Sequence, residues 1–181
     1  MRVPATMVAG LLLAAGCAIG PTEGTPAGTS IVDGQAHDDA FRLTIHAERP
    51  TYRTGEAIGT SATLTYFGPE PAVDVVGSGS GLVGFGLRQL DGQLKMGPGW
   101  LDSCRTYPMS RGTAVAVPFV KSGGFIPTDP DGPFWQAYFA ERDLLLPAGT
   151  WQIDAVLEAS LGSCGGERHS LTASVVIGVE P

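Results

Sequence analysis

Histidines, cysteines and grouped carboxylates are the side chains through which a chain of this size could do chemistry, and here they are few. The three histidines are His37, His46 and His169. A nucleophilic or acid–base mechanism needs such a group beside a nucleophile or a second titrating partner. No G-x-S-x-G or H-E-x-x-H run occurs, so no catalytic residue is assigned and a non-catalytic protein is expected. His37-Asp38-Asp39 offers three ligand types in a row. Consecutive side chains do not converge on one ion without a special turn, so the run reads as solvated linker and no metal is expected. Thr128-Asp129-Pro130-Asp131-Gly132 has the flavour of a calcium loop but lacks the third carboxylate and the distal glutamate. Asp-Pro-Asp-Gly is also a good turn for local reasons. Between Gly77 and Gly84 lies a G-x-G-x-x-G run after an apolar stretch. A dinucleotide site needs a helix to start at those glycines. Val83, Phe85 and Leu87 instead alternate into Asp91-Gly92, a hairpin signal, so no cofactor is expected.

The remaining reactive group is Cys17, which ends the run Leu11-Leu12-Leu13-Ala14-Ala15-Gly16-Cys17. Arg2 supplies a basic start, Val3 to Ala15 an apolar stretch, and Ala15-Gly16 a small-residue cleavage site, the layout of a secretory signal. The apolar run is well short of the ~20 residues that a membrane span needs. The segment resembles the bacterial lipoprotein signal. That resemblance implies lipidation of Cys17, which then becomes the mature N-terminus, and an extracytoplasmic location at the cell membrane or outer membrane. Ala18 stands where an aspartate signals retention at the inner membrane, which permits the outer one. An ordinary cleaved signal is the alternative. With Cys17 taken by lipid, Cys104 and Cys164 remain as an even pair in an oxidising compartment. A bridge between them is expected, against the alternative of two separately buried thiols.

Composition sets bounds on the rest of the chain. Apolar residues make up 43% of the 181-residue sequence, which argues against wholesale disorder. Losing residues 1–16 removes Arg2 alone from the charge count, leaving 10 basic and 18 acidic residues and a net charge of −8. Nucleic-acid binding needs clustered Lys and Arg, which are missing, so no nucleic acid is expected. Residues 17–40, rich in Gly, Pro, Thr and Ser, read as a flexible tether. From Phe41 to Pro181 the pattern is that of one domain.

Its elements read as strands. Phe41, Leu43, Ile45 and Ala47 alternate with polar residues, which puts His46 on the polar face. Further strands are expected over about 57–67, 72–76 and 113–120. Trp151, Ile153, Ala155 and Leu157 alternate on one strand, and Leu171, Ala173, Val175, Ile177 and Val179 on the next, an antiparallel pair. Residues 133–140 fit a short helix, with Phe134 and Tyr138 four apart, or a strand; the surroundings favour strand. Seven or eight strands without a long helix make an all-β, single antiparallel β-sandwich.

Two segments carry a family likeness. Arg49-Pro50-Thr51-Tyr52-Arg53-Thr54-Gly55-Glu56-Ala57-Ile58 looks like the opening of bacterial immunoglobulin-like extracellular modules, and Leu145-Leu146-Pro147-Ala148-Gly149-Thr150-Trp151 resembles the corner before their penultimate strand. The arrangement is similar to the proteinase-inhibitor-like sandwich called BsuPI, which implies an immunoglobulin-like fold over about Phe41 to Pro181. No reactive-loop residue carries over. The function expected is therefore a membrane-anchored binding or structural module of the cell envelope with a protein or glycan partner. The alternatives are a small-solute or metal-binding envelope protein, an uncharacterised envelope enzyme or a protease inhibitor. The segment 96–139 holds eight of the 14 aromatics, and its Trp100, Tyr107, Phe134, Trp135 and Tyr138 form either the partner surface or part of the core.

Overall fold

A computed structural model describes residues 31–181. The chain forms β1 (Val32–His37), β2 (Phe41–Ala47), β3 (Thr51–Arg53), β4 (Thr60–Tyr66), β5 (Ala72–Ser78), β6 (Val83–Gln89), β7 (Lys95–Met96), β8 (Cys104–Ser110), β9 (Ala114–Pro118), α1 (Gly132–Ala140), β10 (Gly149–Leu161) and β11 (Arg168–Glu180). Two sheets pack face to face in an all-β sandwich. The smaller has the order β1-β2-β4-β9. The larger runs β3-β11-β10-β5-β8, with β6 also on β10 and β7 on β6. Every pairing is antiparallel except that of the short β3 with β11.

Alternation explains the two layers. On β10, Trp151, Ile153, Ala155, Leu157 and Ala159 are all buried, and their register neighbours on β11 include Ile177, Val175 and Ala173. On the facing sheet Phe41, Leu43, Ile45 and Ala47 of β2 are buried beside Leu64 and Ala62 of β4. Trp151 also donates its indole N–H to the Pro147 carbonyl at 3.0 Å, so its polar atom is satisfied inside the core. The Arg49–Ile58 turn is built on Tyr52. Its ring is buried under the Arg49 guanidinium, and its hydroxyl accepts from the Arg49 amide at 3.1 Å and donates to the Gly59 carbonyl at 3.3 Å.

Two expectations are corrected. Residues 32–37 were expected in the tether; instead they are β1, paired along its whole length with β2 from Val32↔Ala47 to His37↔Arg42. The reason is β11. Gly34 lies so close to the Ser174 carbonyl that a β-carbon there would overlap it, so β1 docks on the free edge of β11 and closes that side of the sandwich. The expected strand over 133–140 is instead the helix α1. Pro133 opens it, where its fixed φ favours the helix and its missing N–H is not needed. Trp135 and Tyr138, three apart, then face the core together. The Thr128–Gly132 segment is the turn that leads into this helix, and the Asp131 carboxylate accepts the Trp135 indole N–H at 2.7 Å. No helix among the described residues is long and apolar enough to cross a membrane.

Candidate apolar cleft at the open edge

Opposite the edge closed by β1, the two sheets part. The cause is the connection between β8 and β9. β8 belongs to the larger sheet and β9 to the smaller, so the turn at Arg111–Thr113 steps from one layer to the other. Gly112 takes a left-handed φ of 75° there, and its amide donates to the Tyr66 carbonyl at 2.8 Å. Beyond this turn the strands diverge and leave a wedge-shaped cleft of about 820 Å³, inside the range of ~300–1,000 Å³ usual for small-molecule sites.

The walls come from strand alternation. Val115 and Val117 of β9 stand in register with Leu64 and Ala62, so they point towards the sandwich interior. The opposite sheet does not reach them: Val115 is 42% exposed where a core residue would be covered. Across the gap stand Val83 and Phe85 of β6 and Tyr107 and Met109 of β8. The rim comes from two crossing loops. Residues 97–101 lie over β6, where Gly84 has no side chain to hold off Pro98 and Trp100. The Ser78 hydroxyl ties that loop down, bonded at 2.9 Å to both the amide and the carbonyl of Leu101. The second loop, 121–124, crosses at Gly99 and Gly123, whose backbones approach too closely for any β-carbon on Gly99. Leu101 and Val120, both 61% exposed, form the lips.

Polar groups in the lining are few, and most are committed. Tyr107 donates its hydroxyl to the Ser78 carbonyl at 2.7 Å. The Lys121 ammonium donates to the Tyr138 and Glu141 carbonyls at 2.5 and 2.8 Å, holding the C-terminal end of α1. Burial pushes its pKa down, against Glu141 and Asp143, which raise it. Arg105 lies over the Tyr107 ring and belongs to none of the ion pairs among the described residues. Among the described residues, the lining carries no aspartate, glutamate, histidine or cysteine. Such a surface can take up an apolar ligand and offer it a positive charge.

The residues singled out as a partner surface fall into two places. Trp100 and Tyr107 line the cleft. Trp135 and Tyr138 are buried at 2% and 5% exposure, with Phe134 packed edge-on to Trp135 at 4.8 Å, as a separate aromatic cluster under α1. Cys104 and Cys164 form a disulfide with their Cα atoms 6.3 Å apart, tying the start of β8 to the β10–β11 loop. Cys17 lies outside the described residues. Arg105, Val115 and Val117 belong to no motif, and sequence reasoning misses them. The signal that could have found them is simple alternation: Arg105, Tyr107 and Met109 fall on one face of β8.

The other polar cluster lies at the opposite end. His169 is buried, and its Nδ1 lies 2.7 Å from an Asp38 carboxylate oxygen. The second Asp38 oxygen accepts the Ala40 and Phe41 amides at 2.9 and 2.6 Å. Burial raises the Asp38 pKa, but these bonds outweigh it and the carboxyl sits below its usual range. Asp39 is near enough to complete a three-ligand group. Asp38 is engaged by both amides and the imidazole, and the cluster works as a clasp between the β1–β2 turn and β11. His169 stands two residues before Leu171, so the alternation of β11 already points it inward.

No protein-family model, curated protein or solved structure matches the chain. What defines its class is the fold: an all-β sandwich, closed along one edge and open along the other on an apolar cleft.

Proposed function

We propose that the protein is a lipid-anchored, extracytoplasmic β-sandwich that binds an apolar ligand in the cleft between β6, β8 and β9, without catalysis. One observation carries the binding half. A monomer seldom leaves large aliphatic side chains grouped and open to water, and here Leu101, Val115 and Val120 do so around a formed cavity. The lining residues described include no carboxylate or histidine to form an acid–base pair, which supports a binding role over a catalytic one. The anchoring half rests on the Leu11–Cys17 segment, whose cysteine is the acceptor in the signal it resembles.

Each half has its own test. Cells fed labelled palmitate should label the native chain but not Cys17→Ser; label kept by the variant, or missing from the native chain, refutes the anchor. The uncharged apolar dye Nile red should bind the folded protein and brighten. Val115→Ser with Val120→Ser, at two exposed positions, should remove that signal without changing the circular dichroism. Equal dye binding by the double variant would rule the cleft out as the site.

A further inference from the structure

We infer that the ligand is a single-chain amphiphile with an anionic head, a free long-chain carboxylate, held tail-inward with its head on Arg105; this rests on the cleft being a binding site. The inward row of β8 orders the chemistry along the cavity. Met109, at the closed end beside the β8–β9 turn, is buried; Tyr107 is half-buried; Arg105, at the mouth, is exposed. At ~3.4 Å per residue the strand backbone runs about 14 Å from Met109 to Arg105, a length that suits an extended alkyl chain. Along that length the wall is mainly apolar, and the Tyr107 hydroxyl is turned to the Ser78 carbonyl.

Charge selects the head. The chain carries a net charge of −7, yet the described residues of the cleft lining include Arg105 and Lys121 and no carboxylate. A negative ligand thus meets positive charge there without an opposing carboxylate in the described lining. Lys121 is bonded to two helix carbonyls, which leaves Arg105 to receive the head. Its guanidinium, 5.4 Å from the Tyr107 ring centroid, offers the planar fork that matches a carboxylate. A sugar would need a dense set of hydrogen-bonding groups, and a peptide would bring a row of backbone amides and carbonyls with too few groups to meet them. The lining has a few hydroxyls for either.

The test uses the full chain with Cys17→Ser, so that no acyl group of its own competes, and titrates dodecanoate and its uncharged analogue dodecanol by calorimetry. Dodecanoate should bind at one site, about tenfold more tightly than dodecanol. Arg105→Gln, at an exposed position, should bring dodecanoate down to the dodecanol level and leave dodecanol unchanged. Equal affinities for both ligands, untouched by Arg105→Gln, would overturn the head-group assignment while leaving the cleft as a binding site. Failure of Nile red, dodecanol and dodecanoate together would instead overturn the cleft reading itself. Acrylamide quenching of Trp100, against the buried Trp135 and Trp151, reports whether the cleft is already covered. Shielding of Trp100 before any ligand is added would mean that residues 1–30 or, if sedimentation shows a dimer, a second copy occupies it, and the proposal falls.

Discussion

Trp135→Ala separates core from contact surface within the aromatic segment. Trp135 is 2% exposed, lies edge-on to Phe134 and Tyr138 with ring centroids at 4.8 and 5.4 Å, and gives its indole N–H to Asp131. Removing a buried Trp ring costs about 3–5 kcal/mol through lost transfer energy and the cavity left behind. The indole–Asp131 bond adds ~1 kcal/mol at most, because Asp131 is partly exposed and water can replace the donor. A loss of about 4 kcal/mol is a large part of the ~5–15 kcal/mol by which a domain of this kind is stable. Urea unfolding followed by far-ultraviolet circular dichroism should show the midpoint falling by ~1–3 M at an ordinary slope. Trp135→Phe keeps most of the ring and should lose roughly half as much. Trp100→Ala is the control, since that ring lies half-buried across Gly84 at the cleft rim; it should lose about 1–2 kcal/mol. A Trp135→Ala midpoint within ~0.3 M of the native one, or a larger loss for Trp100→Ala than for Trp135→Ala, would refute this placement of the two rings.

Three further perturbations probe the frame. Cys104→Ser with Cys164→Ser opens a bridge across 60 positions, which the chain-entropy relation puts at about 4 kcal/mol; thermal unfolding in non-reducing buffer should show the loss, and unchanged stability would mean that the bridge does not form. Gly34→Ala sets a methyl group against the Ser174 carbonyl and should destabilise by ~1–3 kcal/mol through overpacking, with hydrogen exchange rising first in β1; an unaltered exchange pattern would show that β1 is not docked on β11. The Asp38 carboxyl, held below its ordinary 3.8 chiefly by His169 and two amides against the opposing effect of burial, binds a proton more weakly folded than unfolded. Its stabilisation is therefore complete above about pH 4 and lost as the pH falls through the lower folded value. Asp38→Asn should be less stable than the native chain at neutral pH, with the gap closing on acidification; a gap that widens below pH 4 would contradict the clasp.

The fold was legible where one face of a strand is buried and the other is wet. β2 spans Phe41–Ala47 as its alternation required, and the β10–β11 pair keeps the two inward rows that start at Trp151 and Leu171. Period-two patterning carries that information because a one-residue slip would expose the whole row. β1 was illegible for the opposite reason. Its sequence VDGQAH has little to bury, and its place is fixed by β2 and by the missing side chain of Gly34 against β11, a long-range fact. α1 is nine residues long and apolar on most sides, so periodicity could not choose between helix and strand; the proline at its start and the Trp135–Tyr138 pairing decide it. The cleft shows the limit more sharply. Val115 and Val117 read as ordinary inward strand residues, and alternation says which way they point but not whether anything stands opposite.

That missing cover is the observation on which the proposed binding role rests. Both edges of the sandwich raise the same problem of apolar side chains reaching past the last paired strand. At the β11 edge the answer is an extra strand, β1, drawn in tightly enough to require glycine. At the other edge the same chain puts a turn that sends β8 and β9 into different layers, and then two glycine-rich loops that pass over the gap without filling it. Closing the second edge as the first is closed would add stability, since Val115, Val120 and Leu101, 42–61% exposed, would each gain roughly half of the ~1.5–3 kcal/mol that burying a fully exposed side chain brings. Leaving them open forgoes that stabilisation. The loops are not loose, being fixed through Ser78, Ser122 and Lys121. A cleft held open in this way, with an arginine at its mouth that joins no ion pair among the described residues, supports the proposed binding role over a purely structural one.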